Sequence, residues 1–170
     1  AQRVLDPASL VKIAYVEPAD LSRWSATSGT FPLAVVSFGS SLPVSFQCPV
    51  IQLDLPILEG PSRCEVWSCD QPVRLYTDSG LSAAISGDLL FGSITAFEDP
   101  GTGLNHTTER AYQQLLRLLR ESGFPHLWRI WNYFPQINEE QNHLERYRLF
   151  CMGRHEALAG SLPGFPGSLP

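Results

Sequence analysis

Gly87-Asp-Leu-Leu-Phe-Gly92 and Thr108-Glu-Arg-Ala-Tyr-Gln-Gln-Leu-Leu116 read as strand and helix, with Asp99-Pro-Gly-Thr-Gly103 between them in the chain. Ser86-Gly-Asp88 is a tight-turn signal, so Leu81 to Ser86 and Leu89 to Phe97 are expected to form a hairpin. A helix over 107–122 follows, with Thr107 or Thr108 as its cap and Glu109 in the first turn, where the dipole favours negative charge. Its apolar face is read as Ala111, Leu115, Leu118 and Leu119, with Arg110, Gln113, Gln114, Arg117 and Arg120 opposite. Gly123 stands where a helix C-cap belongs.

Upstream, short apolar or alternating runs bounded by Gly, Pro, Ser or Asp predict strands at Val11–Val16, Leu33–Phe38, Val50–Leu55 and Glu65–Cys69. Downstream, Leu127 to Phe134 reads as a strand stopped by Pro135, and Gln141 to Leu158 as a second helix. The order hairpin, helix, strand, helix is an α+β pattern: a mixed or antiparallel sheet with the helices at 107–122 and 142–158 packed on one face. From Gly160 the chain is Gly/Pro/Ser punctuation that neither helix nor central strand accommodates. The expected organisation is therefore a domain over 1–158 and a Pro/Gly-rich linker over 159–170, leading toward a second domain.

A chain of 170 residues supports one domain with a real core. With a net charge of −5 and no run of Lys or Arg, no nucleic-acid or anionic-membrane partner is expected. Apolar runs such as Phe31 to Phe38 fall far short of a bilayer span, and no basic-then-apolar leader opens the chain, so the expected location is the cytoplasm. Cys48, Cys64, Cys69 and Cys151 lack zinc spacing, and neither a metal nor a cofactor is expected.

The chemistry concentrates in His126-Leu-Trp-Arg-Ile-Trp-Asn-Tyr-Phe-Pro-Gln-Ile-Asn138 and Leu144-Glu-Arg-Tyr-Arg-Leu-Phe-Cys-Met-Gly-Arg154. Aromatic rings beside guanidinium groups suit a flat or ring-shaped anion, because Arg grips carboxylates bidentately while rings cover apolar faces. On the expected helix, Tyr147, Cys151 and Arg154 lie at i, i+4 and i+7, where a hydroxyl and a guanidinium can share one carboxylate. The plain alternative makes Tyr147 core and Arg154 a surface or salt-bridging residue. On the expected strand, Trp128, Ile130, Asn132 and Phe134 share one side, and Leu127, Arg129, Trp131 and Tyr133 the other. Trp131 is open to both readings, packing or ring platform. Capping or exposure accounts for His126 and His143.

Over roughly residues 75 to 155 the turn, helix and strand motifs quoted above resemble the RidA (YjgF) family, which implies that family's α+β fold and little about activity. Arg129-Ile-Trp-Asn-Tyr-Phe-Pro-Gln-Ile-Asn138 and Glu145-Arg-Tyr-Arg-Leu-Phe-Cys-Met-Gly-Arg154 more specifically resemble the first half of the chorismatases, enzymes of two RidA-like halves. That resemblance implies loss of the enolpyruvyl group of chorismate as pyruvate, leaving a dihydroxy-cyclohexadiene carboxylate or a hydroxybenzoate. It implies substrate-binding roles for Tyr147, Arg154, Cys151, Trp131, Asn132 and Tyr133, and a catalytic Glu in the C-terminal RidA-like half, so no catalytic residue is assigned here. The alternatives are a RidA-type enamine or imine deaminase, and a non-catalytic module for small aromatic carboxylates. The strand arginine of simple RidA proteins has no counterpart after Arg154, which weighs against the first of these.

Overall fold

The computed structural model describes residues 11–39, 42, 45–99, 101–124, 126–141 and 143–161. The fold is mixed α+β, in two compact units: residues 1–93 and 94–170. In the first, β1 (Lys12–Val16), β4 (Cys64–Cys69), β2 (Phe31–Phe38) and β3 (Val50–Leu53) form a sheet in the order β1-β4-β2-β3. The β1–β4 and β4–β2 pairs are antiparallel and β2–β3 is parallel, so the sheet is mixed. Alternation puts Val35 and Val66 on one face, where they join Val16, Leu21, Cys48 and Cys64 in a buried cluster. Each such aliphatic side chain contributes about 1.5–3 kcal/mol by leaving water. Burial pushes the Cys48 thiol up to about 12, so it stays protonated and inert.

The other sheet of this unit is the meander β5 (Arg74–Asp78), β6 (Leu81–Ser86) and β7 (Leu89–Ile94). The hairpin expected at Ser86-Gly-Asp88 is present, with Gly87 at φ +54. A second hairpin, unread in the sequence, turns at Ser79 (φ 46) and Gly80 (φ 84), the two positive values that a type I′ turn requires. Trp67 and Phe91, with ring centroids 5.5 Å apart, pack over Leu33, Cys69 and Ala84. The short helix α1 (Leu21–Thr27) was also unread; it buries only Leu21.

In the second unit, α2 runs Gly103–Glu121 and α3 Arg146–Ser161, separated by the small hairpin β8 (Glu140–Gln141) and β9 (Leu144–Glu145). Helix α2 starts four residues before the expected cap. The Asp99 turn makes the start: its carbonyl accepts the N–H groups of Thr102 and Gly103, and its carboxylate accepts that of Gly101. Thr107 lies inside the helix and donates its hydroxyl to the Gly103 carbonyl. The apolar face is also turned from the one expected. Leu104, Thr108, Tyr112 and Leu116 form the buried i, i+4 stripe, Leu118 is buried as well, and Ala111, Leu115 and Leu119 are half-buried.

The C-terminus is as read. The Gly123 N–H reaches the Arg120 carbonyl and the Phe124 N–H the Leu119 carbonyl, with Gly123 at φ +78. This is a Schellman closure. Gly123→Ala, with open space for its Cβ, should cost only the left-handed backbone, about 1–2 kcal/mol. A thermal melt should show a fall of roughly 2–8 °C.

Three expectations need correction. Leu127 to Phe134 is not a strand, because no described residue offers it a ladder; side chains hold it instead. The second helix begins at Arg146 rather than Gln141, because 140–145 fold into the hairpin, turned at His143 (φ 62). Helix α3 also continues through Gly160 and Ser161, since small residues are tolerated in a last turn ahead of Pro163. Residues 162–170 of the expected linker lie outside the described residues.

Candidate functional site

Along α3, Arg146, Phe150, Gly153 and Ala157 recur at i, i+4, i+7 and i+11 and form its buried stripe. Phe150 and Ala157 join Leu104 and Tyr112 of α2 in one cluster, against which Ile130, Phe134, Leu149 and Cys151 pack. Gly153 is required by the crossing. A Cβ there would stand 2.0 Å from the Asn105 carbonyl oxygen and 3.0 Å from the Thr108 Cβ. The glycine of the Phe-Cys-Met-Gly-Arg run is thus where the two backbones touch.

The 126–138 segment is fixed at two points beside this cluster. Phe134 stacks on Phe150 at 4.8 Å, and the Tyr112 hydroxyl donates to Asn132 Oδ1 at 2.9 Å. Just beyond, Arg146 donates from Nε to the Pro135 carbonyl at 3.4 Å and grips Glu98 with its two terminal nitrogens, at 2.7 and 3.2 Å. Gln141 completes the network by donating to Glu98 at 2.9 Å. The hydrogen bonds and charge of Arg146 hold the Glu98 carboxyl below the usual glutamate range. Arg146, quoted within the motif but given no role from sequence, therefore fixes the start of α3 and the end of the segment.

Of the expected binding residues, the structure brings Asn132, Cys151 and Arg154 together around Tyr112. The Arg154 guanidinium lies 5.6 Å above the Phe150 ring, and its charge and hydrogen bonding act on the Tyr112 hydroxyl. Burial nevertheless dominates and raises the Tyr112 pKa, so the phenol stays a neutral donor. No carboxylate of a described residue pairs with Arg154. Trp131 and Tyr133 are exposed, with Arg129 5.6 Å over the Trp131 ring. Tyr147 is also exposed, and its backbone N–H donates to the Ile137 carbonyl.

Sequence reasoning missed Tyr112, whose signal was a phenol on the i+4 stripe of Leu104 and Thr108: a buried hydroxyl needs a partner. The cluster as built can hold a carboxylate in the Arg154 fork, with amide and phenol groups beside it and rings against its apolar faces. The described residues that form it include no carboxyl or imidazole. Among the described residues no group of His, Cys, Asp and Glu is arranged to hold a metal ion, and no helix is long and apolar enough to cross a membrane.

A family model described as chorismatase FkbO/Hyg5-like, N-terminal, matches residues 65–170. A chorismatase of Streptomyces hygroscopicus is 37% identical over 95 residues, which is 55% of this chain and 27% of the relative. A chorismatase of Streptomyces rapamycinicus is 34% identical over 112 residues, covering 65% of this chain and 33% of that protein. A 3-hydroxybenzoate synthase of Streptomyces hygroscopicus is 31% identical over 112 residues, covering 65% and 32%. A chorismatase crystal structure superimposes with a TM-score of 0.73 at 26% identity, over 89% of this chain and 46% of the other. The chain spans a third or less of the length of these curated relatives.

Proposed function

The chain belongs to the FkbO/Hyg5-like chorismatase family, and from that premise we propose that it is the substrate-holding half of an enzyme that cleaves the enolpyruvyl group of chorismate. One observation carries the reading. Arg154 is a half-buried guanidinium stacked on an aromatic ring, beside a neutral phenol and amide, with no carboxylate of a described residue to neutralise it. A substrate carboxylate is the partner that this arrangement lacks.

In this scheme Arg154 and Asn132 orient the ring acid, while Tyr147, Cys151, Trp131 and Tyr133 line the approach. Protonation of the enolpyruvyl methylene gives a cation that water or a ring hydroxyl captures, and collapse releases pyruvate. The chorismatase resemblance implies that the proton comes from a glutamate of a second RidA-like half. Exposed Trp128, Trp131, Tyr133 and Phe97, together with the greater length of the relatives, support such a partner half. No cofactor is used. The four cysteines are free, which suits the reducing cytoplasm.

The test is Arg154→Ala in the complete gene product, assayed by pyruvate release coupled to lactate dehydrogenase. Loss of a charged hydrogen bond to a carboxylate costs about 1.5–3 kcal/mol, so kcat/KM for chorismate should fall roughly ten- to a hundredfold. Tm should move little, and Tyr147→Phe should cost less because the ring remains. An unchanged kcat/KM for Arg154→Ala, or a loss explained by unfolding, makes Arg154 structural and moves the carboxylate site elsewhere.

A further inference from the structure

Tyr112 reaches the cluster from α2 and is only 6% exposed. Its ring stands edge-on to Phe150 at 6.3 Å, and Phe150 is the ring that carries Arg154 at 5.6 Å. Its hydroxyl spends its one proton on Asn132 Oδ1. An amide whose oxygen is held from within points its NH2 donors the other way. Asn132 is exposed, and it and Arg154 both bear on the Tyr112 hydroxyl, so that end is available to a ligand beside Arg154.

Building on the chorismate reading, we propose that Tyr112 is a positioning residue that sets the polarity of the site: by holding Oδ1 of Asn132 it makes the amide present N–H donors to the substrate. Without that bond the amide is free to turn its oxygen outward, where it repels the carboxylate held by Arg154. Because burial keeps the phenol protonated, the donor is present across neutral pH. The effect belongs to binding rather than to chemistry, since no proton moves between Tyr112 and the substrate.

The experiment is a double-mutant cycle in the complete gene product, Tyr112→Phe against Asn132→Ala, with KM and kcat for chorismate read separately. Tyr112→Phe should raise KM about three- to tenfold, the range of one ordinary hydrogen bond, with kcat within about twofold. In the Asn132→Ala background the same change should alter KM less than about twofold. Asn132→Asp supplies a second arm: its carboxylate still accepts the Tyr112 proton but has no donor, so KM should rise at least as far as in Asn132→Ala. Losses that multiply across the cycle overturn the proposal, as does Tyr112→Phe with unchanged KM, or Asn132→Asp binding chorismate as the parent does. If Asn132→Ala is neutral while Arg154→Ala is impaired, the inference fails and the chorismate reading stands. If both are neutral in an active enzyme, the carboxylate site itself is wrong.

Discussion

Glu98→Ala is expected to lower stability by about 3 kcal/mol, the low end of the 3–5 kcal/mol found when one partner of a buried ion pair is removed. The low end applies because the Glu98 side chain keeps 26% exposure, while that of Arg146 keeps 9%. What decides the sign is the residue left behind. After the substitution the Arg146 guanidinium keeps hydrogen bonds to Gln141 and the Pro135 carbonyl, two neutral acceptors, while the Glu139 carboxylate acts on it through space alone. Glu98→Gln keeps an acceptor in place and should cost less. Replacing both partners with apolar residues of similar size should cost less than Glu98→Ala alone, since no charge is stranded. Urea unfolding followed by circular dichroism measures all three. A double apolar variant weaker than the single alanine variant contradicts this account of the pair.

The same pair predicts a pH dependence of definite sign. The folded-state pKa of Glu98 is depressed by Arg146, so its contribution is complete above the ordinary glutamate pKa. It is lost as pH falls through the lowered folded value. Acid unfolding of the parent should therefore show a component that Glu98→Gln lacks. The two proteins should differ most at neutral pH and converge in strong acid.

Gly153→Ala is the other large effect, and propensity alone gives it the wrong sign. Alanine is better than glycine inside a helix by about 1 kcal/mol. Here the new Cβ would lie 2.0 Å from the Asn105 carbonyl oxygen and 2.8 Å from its carbon, and a backbone cannot swing aside as a side chain does. The helices must separate, which loosens the Tyr112–Phe150 contact and everything packed against it. Overpacking of this kind costs about 1–3 kcal/mol and at times more, so the net expectation is a destabilisation at or above the top of that range. Because Arg154 is the next residue, chorismate binding should suffer too. A melting temperature at or above the parent's for Gly153→Ala removes the close crossing from the account.

How much of this was readable beforehand depended on what the sequence pattern encodes. Six strands of the first unit were visible because they are apolar or alternating and bounded by turn residues. β5, Arg-Leu-Tyr-Thr-Asp, was missed because every one of its residues is exposed, so no apolar alternation marks it. Leu127 to Phe134 failed in the opposite way. Its alternation separates Ile130, Asn132 and Phe134, which meet the helices, from exposed Trp131 and Tyr133, but fails at its start, where Trp128 is exposed and Leu127 half-buried. Alternation reports which side meets a core and says nothing of whether a ladder forms. The gathering of Asn132, Cys151 and Arg154 around Tyr112 was legible only in part: the resemblance singled out all three, and helical spacing put Cys151 and Arg154 on one face. Tyr112 was not: on a helix a tyrosine reads as core until the partner of its hydroxyl is seen.

We propose that this chain is the binding half of a chorismatase and needs a second half for turnover. Pyruvate released from chorismate, followed through lactate dehydrogenase, tests it directly for the complete gene product and for residues 1–170 alone. Steady pyruvate production is expected from the complete protein, and none above background from residues 1–170. Robust turnover by residues 1–170, or no pyruvate from the folded complete protein, contradicts it.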